Sequence, residues 1–433
     1  MRFLQNKANY LNQVNFIFLT IPNLKLSLFI ARRIAFKQQK SFSRFIARLA
    51  VTAIAFSIAA MILTLSFVNG FKHAITDKIY RFWGHIRIQQ YEPNKAIIAE
   101  ETAIMGNDTI IQKIKNISNV MDVQPFATKS IIFKNNETIE GLLLKGVDKN
   151  YAFNTLQPFL IEGRWPIFPD STYSKEVVIS ITTAHKMKVN VNDSIYIYFI
   201  NKDVASTRYR KVRVTGFYKT SIEDYDKLFA LGDINLIRRL NNWQQKQVGG
   251  YEIILKNVSM INRINNQLFN LLPVEWASRP IPEIYPNLFS WIDVQSVNER
   301  VVIVIMSIVA IINLITCLII LVLERTRMIG VLKVLGANTL FIQKIFLYHA
   351  TYISCVGIAI GCVVGVGIGM LQQQVGFIQL SEESYYMPTA PVLIDPLQII
   401  VVCFVALAAC FITLLLPTLL VTKVDPVKAI RFK

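Results

Sequence analysis

The segment "ERTRMIGVLKVLGA", Glu324 to Ala337, lies between two long runs without charge and carries residue types that a partner protein can grip. Wound as a helix, Met328, Leu332 and Leu335 share one stripe at i, i+4 and i+7, with Val331 beside them. Arg327, Gly330 and Lys333 fall opposite. Such a helix is expected at a membrane surface with its apolar side turned to a partner or to lipid, although the pattern equally suits a plain interfacial connector. Elsewhere reactive groupings are scarce. No G-x-x-x-x-G-K-[ST] loop occurs, so the chain is not expected to hold ATP in the P-loop manner. His73, His85, His185 and His349 are isolated, without metal-ligand spacing, and there is no G-x-S-x-G elbow. No catalytic residue and no metal site are expected. The acidic run "IEDYDK" (222–227) reads as a solvated turn, with a docking site as the alternative.

The elements that must position the segment at 324–337 follow from hydropathy. Four stretches carry no Asp, Glu, Lys or Arg over about the 20 residues that cross a bilayer: 49–68, 301–323, 345–371 and 397–421. They predict four transmembrane helices. Residues 1–48 hold nine Lys or Arg and no acid, 324–344 has a net charge of +3, and the tail 422–433 is also +3. The loop 372–396 is −3, with Glu382, Glu383 and Asp395. Basic residues in short loops stay on the cytoplasmic side, so both termini and the 324–344 segment are expected inside, and 69–300 and 372–396 outside. This sorting accounts for most of the +18 formal charge, and nucleic acid is not an expected partner. A short apolar patch, "FIFLTIP", lacks a cleavage site before Lys25, which predicts an uncleaved anchor at 49–68.

The 69–300 segment is far longer than a connector needs, and it reads as an α+β domain. Strand patterns recur at "HIRIQQY", "SIIFKN", "GLLLKGV", "EVVIS", "SIYIYFI", "KVRVTGFY" and "YEIILKN". Helical spacing appears at 109–118, 233–242 and 260–272. The two ends are expected to form one layer, with about 145–232 as an inserted subdomain. All five cysteines fall in the charge-free stretches, so the outer domain is expected to fold without disulfides. In the third stretch Gly357, Gly361, Gly365 and Gly369 recur every four residues, a register that lets another backbone approach closely. Asn313 and Thr316 are expected to hydrogen-bond a neighbouring helix. Phe126, Trp165, Phe168 and Trp291 suit core and contact surface alike, and no cargo-binding residue is assigned.

"ERTRMIGVLKVLGA" resembles the segment between the second and third spans of FtsX-like ABC transporter permeases, the class that includes MacB and the Lol-type lipoprotein-releasing permeases. The resemblance extends over nearly the whole chain. The stretch before Asn69-Gly70-Phe71 is similar to the Lol-type entry, with an N-terminal surface helix and a first span. "LLLPTLLVTKVDPVKAIRF" resembles the closing signature of the family, at Pro417, Asp425, Pro426, Ala429 and Arg431. The chain departs from the pattern at Met328, where the family often has an acidic residue.

The resemblance implies an inner-membrane permease that is not itself an enzyme and binds no cofactor, with ATP and Mg on a separate cytoplasmic P-loop ATPase. It implies a second permease chain, the same or a paralogue, with a lipoprotein cargo and a periplasmic carrier. ATPase closure would push on Glu324, Arg325, Arg327, Met328, Ile329, Gly330, Leu332, Lys333, Leu335 and Gly336. Rigid spans packed along the glycine run would carry the movement outward by mechanotransmission. The alternatives are an FtsX-like permease with another substrate or a regulated envelope enzyme, and a membrane-anchored sensor.

Overall fold

The structure is a computed structural model that describes residues 41–93, 100–135, 138–169, 172–199 and 208–418. The expected surface helix before residue 41 and the closing-signature positions Asp425, Pro426, Ala429 and Arg431 lie outside the described residues. The chain divides into two compact units. One comprises the residues up to Phe71, Val294–Phe377 and the residues from Pro391 onward, and the other comprises Lys72–Asp293 and Ile378–Ala390.

The first unit is helical. Its long elements are α1 (Ser41–Trp83), α2 (Pro286–Glu324), the short α3 (Thr326–Val334), α4 (Thr339–Val375) and α5 (Pro396–Thr418). Among the described residues α1, α2 and α4 are long and apolar enough to cross a membrane, and α5 is a shorter apolar helix over Pro396–Ile412. The expected 20-residue first span is less than half of the 43-residue α1, which at 1.5 Å per residue is about twice a bilayer's hydrocarbon thickness. Absence of charge marks only the stretch suited to lipid. Beyond it the helix continues because Ile75, Ile79 and Phe82, at i, i+4 and i+7, are all buried, while Asp77 and Arg81 pair across one turn on the outer side. The helix ends where Gly84 takes a φ of +70°.

The four long helices of this unit share one core. Ile54, Ile58 and Ile62 of α1 pack with Leu314, Leu318 and Leu321 of α2, Phe346 and Ile353 of α4, and Ile399 of α5. By contrast Val301, Val304, Ile305, Val309 and Ile312 of α2 stay exposed. That many apolar side chains on one helix fit lipid or a second protein surface, not water.

The second unit is built on a ten-stranded sheet in the order β12-β1-β11-β3-β4-β9-β6-β8-β5, with β7 beside β3 and β8. The strands are β1 (Ile86–Gln90), β3 (Val120–Asn135), β4 (Thr138–Val147), β5 (Leu160–Gly163), β6 (Glu176–Ser180), β7 (Ser194–Phe199), β8 (Arg208–Tyr218), β9 (Phe229–Asp233), β11 (Gly250–Leu255) and β12 (Trp276–Pro280). A separate ribbon pairs β2 (Ile104–Met105) with β10 (Gln247–Val248). The two ends of the 69–300 segment do pair side by side, β12-β1-β11, and the strands of the middle segment continue the same sheet. The 16-residue β3 pairs with β11 through its first half and with β4 and β7 through its second. Alternation along a strand reports which face is buried and says nothing of which strand lies beside it.

His85, at the start of β1, is buried, stacks on Tyr80 at 4.5 Å, and accepts a hydrogen bond at Nδ1 from the Leu255 amide at 3.1 Å. Burial pushes its pKa down to about 4 against a partial opposing pull from Asp77. The unfolded chain therefore takes up a proton near pH 6.5 that the folded chain refuses until about 4, and stability is lost as the pH drops from about 6.5 to about 4. Thermal unfolding of the full-length protein in detergent should lose up to about 1.4 kcal/mol per pH unit there. His85→Gln, which keeps an acceptor but cannot titrate, should remove that component of the slope; an unchanged slope would clear His85 of the role.

Candidate functional site

Helix α3 is set off from its neighbours by local backbone chemistry. α2 stops at Glu324, Arg325 leaves the helical region at φ −102°, ψ 11°, and α3 runs from Thr326 to Val334. At its far end Ala337 N–H donates to the Leu332 carbonyl and Gly336 N–H to the Lys333 carbonyl, at 3.0 and 3.1 Å. These two bonds form a Schellman closure, and Gly336 supplies the left-handed φ of +87° that it needs. Asn338 then caps α4 by accepting from the Leu340 amide. Gly336, expected among the coupling residues, thus has a role of its own in turning the chain.

The face α3 offers outward differs from the expected one. Ile329 and Gly330 are buried, and half-buried Met328 and Leu332 pack against the helical core. The exposed stripe is Arg327, Val331, Val334 and Leu335, at i, i+4, i+7 and i+8, with exposed Glu324 preceding it. Arg325 and Lys333 are half-buried. Met328 and Leu332 are therefore turned toward their own chain, and Gly330 lies on the packed side with them. The helix has two apolar flanks, and periodicity alone cannot choose which one the rest of the molecule covers.

The glycine run of α4 lies against α1. A Cβ placed on Gly361 would stand 2.5 Å from the Ala55 carbonyl oxygen and 2.8 Å from Ile58. One on Gly357 would stand 2.8 Å from Ile54, and one on Gly365 would stand 3.1 Å from the Ala59 Cα. Ala55 and Ala59, themselves four residues apart, complete a small-residue seam. Gly369 departs from it, meeting Val392 and Ile394 at an ordinary 3.5 Å. Asn313 of α2 donates to the Ala50 carbonyl of α1 at 3.4 Å, whereas Thr316 bonds back to Ile312 within its own helix.

In the second unit the end of α1 meets a buried ionic cluster that the sequence reading missed. Lys145 Nζ donates to the Phe82 carbonyl, lies 4.3 Å from the Trp83 ring centre and pairs with Glu252 at 2.8 Å. Arg87 is sandwiched between Trp83 and Phe126, 4.6 and 4.5 Å from the ring centres, and pairs with Glu101 at 2.9 Å. Glu101 in turn accepts from the Thr128 amide and hydroxyl. Burial pushes the Lys145 pKa down and that of Glu252 up, and each charge opposes the shift of the other. The available signal was charge inside the apolar strand runs: Lys145 in "GLLLKGV", Glu252 and Lys256 in "YEIILKN", and Arg87 in "HIRIQQY". Phe126 belongs to the core, while Trp165 and Phe168 are half-buried around Phe153. Among the described residues no group of three His, Cys, Asp or Glu could hold a metal ion.

Comparison with known proteins places both units. The family model of the MacB-like periplasmic core domain matches residues 48–268, just over half of the 433, and that of the FtsX-like permease C-terminal region matches residues 300–426. The lipoprotein-releasing system transmembrane protein LolE of Haemophilus influenzae is 22% identical over 91% of this chain and 96% of that protein. LolC of the same organism is 22% identical over 95% of this chain and 100% of that protein. The macrolide export ATP-binding/permease protein MacB of Wolinella succinogenes is 24% identical over 82% of this chain but only 55% of its own length.

Two substitution pairs test these arrangements by thermal unfolding of the full-length protein in detergent. Gly361→Leu should overpack the seam by roughly 1–3 kcal/mol, while Gly367→Leu, whose Cβ would meet nothing within 4 Å, should leave stability unchanged. Lys145→Met strands a buried carboxylate and should cost about 3–5 kcal/mol, whereas adding Glu252→Met should recover part of that loss. Equal effects within either pair would refute the corresponding account.

Proposed function

Because the chain belongs to the family of FtsX-like permeases with a MacB-like periplasmic core, we propose that it is the membrane subunit of an ABC-type complex that releases lipoproteins from the outer leaflet of the bacterial inner membrane. The observation that carries this reading is similarity along almost the full length of two lipoprotein-releasing membrane proteins, spanning the helical and the sheet unit alike. In this reading α1, α2, α4 and α5 are four crossings, both termini and α3 are cytoplasmic, and the sheet unit lies in the periplasm. The basic balance of 324–344 agrees with that orientation. ATP and Mg belong to a separate P-loop ATPase, and this chain carries no cofactor and no catalytic residue. A second permease chain, identical or a paralogue, completes the membrane part and covers some of the exposed α2 face.

The mechanism follows from which groups are free to move and which are fixed. The ATPase grips the exposed stripe Arg327, Val331, Val334 and Leu335, where Arg327 offers a cation and the three aliphatic side chains offer apolar area. Displacement of α3 reaches α4 through the Schellman turn and α1 through the glycine seam. α1 and α2 each contribute residues to both units, so movement passes along unbroken helices, not through a polar pore. Cargo is lifted outside the membrane and handed to a periplasmic carrier.

The test is to purify the tagged full-length chain from native membranes in mild detergent and identify what accompanies it. A small P-loop ATPase should co-purify, and Val331→Asp combined with Leu335→Asp should remove it while the permease still inserts. Leu332→Asp should instead damage the fold, because that side chain packs inward. Lipoprotein release by the reconstituted complex should stop with the double variant. Release that proceeds normally without ATPase contact would end the coupling account, and a complex that moves a different substrate would favour the wider FtsX-like reading.

A further inference from the structure

The segment Ile378–Ala390, which lies between α4 and α5 in the chain, groups with the sheet unit and not with the helices it connects. It closes on itself. Ala390 N–H donates to the Ile378 carbonyl at 3.0 Å, Leu380 N–H donates to the Pro388 carbonyl at 2.9 Å, and Gln379 bridges Thr389. Among its described side chains only Met387 and Ala390 are buried, so little apolar area holds it in place. Polar contacts do more. Lys78 of α1 supplies the central one, its Nζ donating to the Tyr386 carbonyl at 2.8 Å and to the Thr220 carbonyl at 2.7 Å. Lys219 pairs with Glu382, and the Trp291 ring of α2 stands edge-on to Tyr386 at 6.4 Å.

One acceptor of that amine is fixed and the other is strained. Asp226 accepts from the Thr220 amide and hydroxyl, and it points inward from the short helix Glu223–Leu228. Glu223, Asp224 and Lys227 stay outside, so the run "IEDYDK" is a helix with one buried acid and not the expected solvated turn. Tyr386 takes a φ of +60°, a left-handed conformation unfavourable for a residue with a Cβ. Such a conformation persists where surrounding contacts impose it, and the Lys78 ammonium on the Tyr386 carbonyl is one of them.

A connector fixed by broad apolar burial would be a permanent part of the sheet unit. This one is closed in itself but secured by one ammonium group, one ion pair and one ring contact, and few bonds must break to free it. We propose that Lys78 is a positioning residue that latches the connector between α4 and α5 onto the sheet unit, so that displacement of α4 reaches that unit through the connector as well as along α1 and α2. The inference rests on the coupling role proposed above. With the latch closed, Ile378–Ala390 moves as part of the sheet unit. Without the Lys78 donors the connector yields, and α4 moves without its load.

The experiment uses the full-length protein in reconstituted membranes, alone for hydrogen exchange and with its co-purifying ATPase for lipoprotein release. In Lys78→Met, exchange read by mass spectrometry should quicken roughly tenfold across 378–390, the size of one charge-assisted hydrogen bond, and stay unchanged in β3 and β4. Release should fall by a similar factor while ATP hydrolysis continues. Lys78→Arg, which keeps the donors, should restore both. Glu382→Gln, which cuts the Lys219 pair, is the second variant if Lys78→Met does not fold, and it should move exchange and release the same way by a smaller factor. Unchanged exchange in both variants would overturn the latch. A freed connector with release at the wild-type rate would overturn its part in transmission, as would loss of hydrolysis together with release or a defect that Lys78→Arg leaves in place. Wild-type protein that releases no lipoprotein would strike the transport reading instead, and exchange would still decide whether Lys78 holds the connector.

Discussion

Holding α1 is the constraint on which the rest of the molecule depends, and it is met by opposite chemistry at two places. Along Ile54 to Ile62 every residue but Ser57 is apolar, and attachment comes from closeness of backbones: alanines on α1 face glycines on α4, and a single added carbon at Gly361 would collide. At Phe82 and Trp83 attachment is ionic. An ammonium group buried among aromatic rings takes the Phe82 carbonyl, and its charge is balanced by Glu252, a residue 107 positions further along the chain. Dispersion in the first place and a desolvated ion pair in the second give the same helix two fixed regions. Neither is easily deformed, because close packing and buried charge both penalise small displacements steeply.

Fixed helices make the short α3 more informative. It is bounded on one side by Arg325, where α2 breaks, and on the other by the Gly336 turn, and its inward flank of Met328, Ile329, Gly330 and Leu332 is already committed to the core. Only Arg327, Val331, Val334 and Leu335 remain for another molecule. The helix is joined to α2 through Arg325 alone and to α4 through the Gly336 turn.

The sheet unit solves a related problem of charge. Arg87, Glu101, Lys145 and Glu252 are buried in partnered pairs, while Glu223, Asp224 and Lys227 stay on the surface. One unit thus contains both a closed ionic cluster and a solvated charged helix. The difference lies in burial and satisfaction, since the residue types are much the same.

The sequence by itself determined what depends on transfer between water and an apolar phase. Long charge-free stretches around Ile54, Leu314 and Ile353 had to be apolar helices, because backbone amides in lipid can be satisfied only within a helix or a closed barrel. The four-residue recurrence from Gly357 was equally readable, and so was the strand character of most of the outer segment. What the sequence could not determine was partnership. Lys145 finds Glu252, β3 is shared between two groups of strands, Met328 turns inward while Val334 turns out, and Tyr225 meets Tyr285 across 60 residues. Local periodicity fixes which side of an element is apolar, whereas the identity of the surface that covers it is settled only when distant segments pack. The partners of the buried charges and the exposed face of α3 both follow from that second choice, and tertiary structure alone made it.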